Sequence, residues 1–125
     1  MNIMIDTHVL LWWLDNPKKL SNQAAQLIEN TENNILVSAA VVWEIVIKKS
    51  IGKLVAPGNL IEVLQDEGFI SLPITDRHAM KMEELPLLHQ DPFDRIQIAQ
   101  ALTEGFTFVT RDNKILQYSV TCVEA

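Results

Sequence analysis

Four acidic residues lie at positions where carboxylates are unusual as simple surface charges. One follows an apolar run, one interrupts an apolar helical pattern, one begins a helix and one follows a β pattern; they are Asp6, Glu44, Asp94 and Asp112. Two carboxylates about 4 Å apart repel by roughly 4 kcal/mol at an effective dielectric near 20. Four that converge therefore need protons or cations. Because all the ligand atoms are oxygens, Mg²⁺ or Mn²⁺ fits this set better than zinc.

A divalent cation in such a site would act on phosphate esters. Mg²⁺ held by carboxylates keeps several waters and commonly recruits substrate phosphates. One or two such ions activate water, orient the scissile phosphate and stabilise the leaving oxygen. Hydrolysis of a phosphodiester is therefore the leading reaction. Thr7, Ser38 and Thr110 are candidates to hold a water or a carboxylate, although helix capping and strand packing explain these hydroxyls equally well.

The segment from His89 to Ala101 predicts how one of the acids is positioned. Asp91 is a good N-cap residue, and Asp94 falls in the first helical turn, where the helix dipole favours a carboxylate. Gly105 is expected to end this helix. Asp91 either assists the site or only caps the helix. His89, like His8 and His78, is expected to be structural or at the surface, and it is the histidine nearest to the site.

Glu44 and two arginines next to the predicted site each have two possible partners. Glu44 is the one acid within an apolar helical pattern, and a buried carboxylate needs a partner or a metal. The alternative to a metal is an ion pair with Lys48, one helical turn further on. Arg95 and Arg111 each adjoin an acid in the sequence. We expect them to pair with nearby carboxylates rather than to contact phosphate.

Short strands alternate with helices along the chain, which predicts an α/β fold with a mainly parallel sheet. The predicted strands cover residues 2–5, 35–37, 69–74, 106–110 and 119–123. The predicted helices cover residues 8–14, 22–30, 39–50, 60–67, 76–84 and 92–104, the first of them capped by Thr7. Sites in such sheets form beyond the carboxyl ends of the strands. Asp6 and Asp112 lie at those ends, and the four acids are therefore expected to converge.

Composition favours a single intracellular domain over residues 1–125. The chain has 48% hydrophobic residues, enough for a core, and a formal net charge of −6. Cys122 has no partner for a disulfide, and no apolar run reaches the length of a membrane span, so we expect a soluble, cytoplasmic protein. The acidic balance argues against a general nucleic-acid binder. It does not argue against a nuclease whose acids surround a metal.

Four sequence motifs resemble those of the PIN-domain family of metal-dependent ribonucleases, and specifically the VapC-type toxins of type II toxin–antitoxin pairs. The first and last are Ile5-Asp6-Thr7 and Phe108 to Asp112. The two between them are Ser38 to Glu44 and His89 to Ala101. They occur in the family's order over nearly the whole chain, which makes the resemblance specific.

The resemblance implies a three-layer α/β/α PIN-like fold with a central, mainly parallel sheet of about five strands. It implies a metal site made by the four acids, in which the third acid of the family corresponds to Asp94 rather than Asp91. It also implies a homodimer, a cognate antitoxin protein that covers the groove, and cleavage of RNA that leaves a 5′-phosphate and a 3′-hydroxyl. Arg95, Arg111 and the three hydroxyl residues would then contact RNA or support the ligands.

Two other classes of function remain open at this stage. An aspartyl-phosphate phosphotransfer domain also places acids at strand ends with Mg²⁺. Asp6 lacks the second acid two residues further on that such phosphatases use, and neither the adjacent early acids nor the late lysine of a receiver is evident. The other alternative is a non-catalytic module whose acids bind basic segments of a partner.

Overall fold

The computed structural model describes residues 1–125, which form one sheet of five short parallel strands. The strands are β1 (Asn2–Ile5), β2 (Asn34–Ser38), β3 (Ile70–Leu72), β4 (Thr107–Thr110) and β5 (Cys122–Glu124). Their order across the sheet is β3-β2-β1-β4-β5. β1 is central, and Ile3, Met4 and Ile5 are all fully buried. The sequence of β1 is a continuous apolar run because a parallel strand covered on both faces buries successive side chains.

Six α-helices and three 3₁₀ turns connect the strands. The helices are α1 (Thr7–Asp15), α2 (Asn22–Glu29), α3 (Ala39–Ser50), α4 (Leu60–Asp66), α5 (Asp76–Lys81) and α6 (Pro92–Glu104). The 3₁₀ turns are Pro17–Lys19, Met82–Glu84 and Ile115–Gln117. No helix combines the length and the apolar character that crossing a membrane would require.

The helices cover both faces of the sheet. Successive residues of β1 point to opposite faces, so Ile3 and Ile5 join one hydrophobic cluster and Met4 joins the other. The first cluster includes residues of α1 to α4, whereas the second includes Ile98 and Ala99 of α6. The predicted three-layer α/β/α fold with a parallel five-stranded sheet is therefore confirmed.

Several predicted boundaries are wrong by a few residues. Asp6, not Thr7, caps α1: its backbone is still extended, and its Oδ1 accepts a hydrogen bond from the Val9 N–H at 3.0 Å. The helix predicted from residue 76 ends at Lys81 and continues as a 3₁₀ turn. β3 lies at the sheet edge and pairs over three residues, because Pro73 has no N–H to extend the ladder. The last strand begins only at Cys122.

The strand order creates a crevice at the centre of the sheet. The chain builds outward from β1 to β2 and β3, and then returns to place β4 on the other side of β1. Connections after β1 and β4 therefore leave in different directions, which opens a site at their carboxyl ends. Asp6 follows β1 directly, and Asp112 follows β4 by two residues.

Candidate metal centre

A cavity of about 270 Å³ opens at the carboxyl ends of β1 and β4. All four predicted acids line it, and only one lining residue, a tryptophan, is hydrophobic. The lining consists of Asp6, Thr7, His8, Trp12, Glu44, Asp94, Arg111 and Asp112. The predicted convergence of the four carboxylates is thus what the structure shows, while their role as ligands stays a prediction.

Asp6 is buried at the base of the cavity and held by two donors. Its Oδ1 caps α1, and its Oδ2 accepts a hydrogen bond from the Thr110 hydroxyl at 2.5 Å. The Thr110 Oγ1 in turn accepts the N–H of Asp112 at 3.1 Å. Burial raises the pKa of Asp6 above its ordinary value, and the hydrogen bonds from Thr110 and Val9 offset only part of this shift. Thr110 therefore joins two of the acids and is fully buried between them.

Glu44 is also buried, and each of its oxygens has one partner. Oε1 accepts a hydrogen bond from the Thr7 hydroxyl at 2.5 Å, and Oε2 lies 2.5 Å from Lys48 Nζ. The hydrogen bond with Glu44 raises the pKa of Lys48. The alternative i,i+4 ion pair is thus formed, but it does not exclude a metal. A carboxylate offers about four lone-pair sites, so two remain for a cation.

Asp94 and Asp112 meet at a third residue, His89. The Nε2 of His89 lies 3.0 Å from an Oδ2 atom of each carboxylate. Burial, followed by repulsion from Asp91, raises the pKa of Asp94 to about 7 despite the nearby His89. Partial burial also acts to raise the pKa of Asp112, but hydrogen bonds from His89 and from backbone N–H groups outweigh it, and the net shift is downward.

Two of the predicted site residues are not among those that line the cavity. Asp91 caps α6, since its Oδ1 accepts the N–H groups of Phe93 at 2.8 Å and Asp94 at 3.3 Å. Ser38 caps α3 and donates its hydroxyl proton to the Gln100 Oε1 at 2.6 Å. Both side chains therefore make the capping contacts that the sequence left as the alternative.

The prediction that Arg95 and Arg111 pair with carboxylates is wrong, since neither forms an ion pair with an Asp or Glu side chain. Arg95 donates to the carbonyls of Met82, Pro86 and His89 and so secures the loop before α6. Arg111 donates to main-chain oxygens of Lys19 and Ala125. The guanidiniums therefore add hydrogen bonds to main-chain oxygens, two of which, those of Met82 and Ala125, already accept a backbone N–H.

Comparison with known proteins places this chain in a family. The family model described as PIN domain matches residues 3–120. The chain belongs to the PIN-domain family. It is 30% identical over 117 residues to Ribonuclease VapC22 of Mycobacterium tuberculosis. The aligned region covers 90% of this chain and 88% of the relative.

Solved structures show the same PIN fold at lower identity. DNA-bound VapBC from Salmonella typhimurium has a TM-score of 0.71 at 15% identity, covering 99% of this chain and 98% of that one. VapBC2 from Rickettsia felis, bound to a DNA fragment from its promoter, has a TM-score of 0.69 at 17% identity with the same coverage. At this level of identity the likeness concerns the fold alone.

Three residues around this PIN-domain cavity were not predicted from the sequence. His89 bridges two acids, and His8 and Trp12 line the wall. His8 and Trp12 lie four residues apart on α1, and their ring centroids are 5.9 Å apart. The i,i+4 spacing directly after Asp6 is the sequence signal that would have identified this pair.

The donors that line the PIN-domain cavity fit a hard divalent cation. The four acids supply only oxygen ligands, and the raised pKa values of Asp6 and Asp94 show how burial opposes their ionisation without a cation. One atom each of His89, Asp94 and Asp112, all of types that can ligate a metal, lie within 4.8 Å of one another. Asp6 and Glu44 line the same space outside that group, which suits a cation that keeps part of its water shell.

Proposed function

We propose that this PIN-domain chain is an endoribonuclease that depends on Mg²⁺, with Mn²⁺ as the alternative, and that it acts as the toxin of a toxin–antitoxin pair. The observation that carries the proposal is the convergence of four carboxylates in one cavity at the crevice between β1 and β4. The relative named as a ribonuclease supports the reaction class. The proposed substrate is cellular RNA, which places the activity in the cytoplasm.

Each acid of the proposed site has a neighbour that fixes it. Asp6, Glu44, Asp94 and Asp112 would hold the cation, which when bound supplies activation of water and stabilisation of charge on the phosphate. Thr110 fixes Asp6 through its hydroxyl, and Thr7 fixes Glu44 in the same way. Because these hydroxyls are themselves buried, the two carboxylates are positioned before any substrate arrives.

Arg111 is the cavity residue best suited to contact an RNA phosphate. Its side chain lines the cavity, and no carboxylate side chain neutralises its charge. Its guanidinium carbon lies 4.3 Å from the ring centroid of Trp12, which orients the side chain at the rim. Single-stranded RNA is commonly bound by cations together with aromatic rings on which bases stack. Arg95, which secures a loop, is assigned no contact with RNA.

The proposed protein partners are a cognate antitoxin and a second copy of the chain. The VapBC names of the structural relatives support the antitoxin. Exposed apolar side chains on α3, among them Trp43, Val46 and Ile47, supply surface for either partner. Light scattering on the purified chain tests the homodimer, for which a mass of one chain, about 14.2 kDa, would be the contrary result.

The deciding experiment is cleavage of total cellular RNA by the purified chain with Mg²⁺, with Mn²⁺ and with EDTA. Asp94→Asn removes one proposed ligand while keeping the size of the side chain. Asp66→Asn makes the same chemical change at an exposed position on α4 and is the matched control. We expect discrete, metal-dependent fragments with the parent chain and the control, and none with Asp94→Asn.

Absence of cleavage by the folded, antitoxin-free parent chain in both metals would contradict the nuclease proposal. Labelling of Asp6 by a small phosphodonor would then favour the aspartyl-phosphate alternative. Weaker binding of a basic partner by the acid variants would favour the binding module.

A further inference from the structure

His89 makes contacts that neither a surface residue nor a simple core residue needs. It is buried, and its Nε2 lies 3.0 Å from Asp94 on α6 and 3.0 Å from Asp112 after β4. These two carboxylates come from different elements; the imidazole forms a hydrogen bond with Asp112 and lies within ion-pair distance of Asp94. Without a donor between them, two carboxylates at this spacing repel each other.

The main chain at His89 is fixed from several sides. The hydroxyl of Tyr118 accepts the His89 N–H at 2.9 Å and donates to the Pro86 carbonyl at 2.8 Å. Arg95 donates to the carbonyls of both Pro86 and His89. The main chain of His89 is therefore fixed by a closed set of hydrogen bonds that does not involve the acids.

The other ring nitrogen decides what the imidazole does. Nδ1 lies 3.2 Å from the backbone N–H of Asp91, which can only donate, so Nδ1 accepts and carries no proton. In the neutral ring the proton then resides on Nε2, which points at the two carboxylates. A nitrogen that carries a proton donates hydrogen bonds and does not ligate a metal ion. To become a ligand, the ring would need a proton on Nδ1, where it would face the Asp91 N–H.

We infer that His89 is a positioning residue of the proposed metal centre: its Nε2–H, hydrogen-bonded to Asp112 and 3.0 Å from Asp94, holds the two carboxylates side by side so that their remaining oxygens can bind a cation. This inference rests on the proposed function for the identity of the site. It assigns to His89 a role as donor to the ligands and not as a ligand. Partners of this kind are worth about 10- to 100-fold in metal affinity.

The test compares two variants of His89 by calorimetric titration with Mn²⁺ and Mg²⁺. His89→Phe keeps the ring shape and removes both nitrogens, and we expect affinity to fall about 10- to 100-fold. His89→Gln places an amide N–H₂ near the position of Nε2, and we expect it to recover most of the affinity. His78→Phe, which removes the other buried histidine, is the matched control and should leave affinity unchanged. Circular dichroism of each variant establishes that it is folded.

Equal metal affinity in His89→Phe and the parent chain would overturn the inference. So would a glutamine variant that does not recover metal binding, or a parent chain that binds neither cation. Pulsed electron paramagnetic resonance on bound Mn²⁺ adds a direct measurement, because a coordinated ring nitrogen would give a strong ¹⁴N coupling, contrary to expectation. Nitrogen NMR of the metal-free parent is expected to show the proton on Nε2, and a proton on Nδ1 would overturn the inference. These measurements do not use RNA, so they are separate from the test of the nuclease.

Discussion

Two buried histidines use the same local device in different surroundings. The Nδ1 of His78 accepts the backbone N–H of Thr75, and its Nε2 lies 2.9 Å from one carboxylate, that of Glu104. The Nδ1 of His89 likewise accepts a backbone N–H, but its Nε2 faces two carboxylates. One donor for one acceptor completes a structural contact between α5 and α6. One donor beside two carboxylates leaves negative charge that a proton or a cation must balance.

The largest expected difference between the two regions is in catalysis. Asp6→Asn removes a buried carboxylate from the cavity, and we expect metal-dependent RNA cleavage to fall by about 100-fold or more, because metal ions supply several kcal/mol of charge stabilisation. Glu104→Gln removes the carboxylate beside His78, outside the cavity, and should leave the rate unchanged. Initial rates of cleavage of one defined RNA measure both. If Asp6→Asn cleaved RNA as fast as the parent chain in the presence of metal, Asp6 would not be a ligand of the proposed site.

The excess charge beside His89 should also make the stability of the metal-free chain depend on pH. Burial and repulsion by Asp91 raise the pKa of Asp94 to about 7 in the folded state, whereas an unfolded aspartate has a pKa of about 3.9. The folded state therefore holds this proton more tightly. Its contribution to stability is complete below about pH 4 and is lost as the pH rises through about 7, by at most about 4 kcal/mol.

Urea unfolding in EDTA near pH 5 and near pH 8 measures this loss. We expect the parent chain to be less stable at the higher pH, with the raised pKa of Asp6 acting in the same direction. Asp94→Asn should be more stable than the parent near pH 8, and Mg²⁺ should stabilise the parent by binding the folded state. If the parent chain were instead more stable than Asp94→Asn near pH 8 in EDTA, the raised pKa of Asp94 would be contradicted.

The His78 region is expected to affect stability alone. His78→Phe removes two partly buried hydrogen bonds, with the Thr75 N–H and with the Glu104 carboxylate, and each such bond contributes about 0.5–1.5 kcal/mol. Urea unfolding measures the loss. At a temperature where the variant is folded, its rate of RNA cleavage should equal that of the parent. A lower rate in the folded variant would show that His78 does not act on stability alone.

The smallest expected effect concerns Asp91, which the sequence left between ligand and cap. Asp91→Asn removes the charge but keeps an oxygen that can cap α6, and asparagine is about as good an N-cap as aspartate. We expect stability to change by less than about 0.5 kcal/mol and cleavage to persist. Asp91→Ala, which removes the capping oxygen, should cost about 1 kcal/mol. Loss of cleavage in the asparagine variant would make Asp91 a ligand.

Local patterns predicted most of the fold for identifiable reasons. Ser38 and Asp91 cap α3 and α6, because a short polar side chain before an apolar periodic segment satisfies the first free N–H groups. Thr7 was a wrong assignment because Asp6 is an equally good cap, and the choice between adjacent residues depends on where the chain leaves β1.

The sequence by itself determined the α/β class, the positions of the four acids relative to the strands and helices, and their suitability for a hard cation, since these follow from periodicity and donor chemistry. Tertiary structure alone decided which side chains meet. Arg111 reaches the main-chain oxygens of Lys19 and Ala125, Thr110 bonds to Asp6 across 104 positions, and His89 reaches Asp112 across 23. Such pairs depend on the order in which strands assemble and on loop paths, and no short-range pattern in the sequence encodes either.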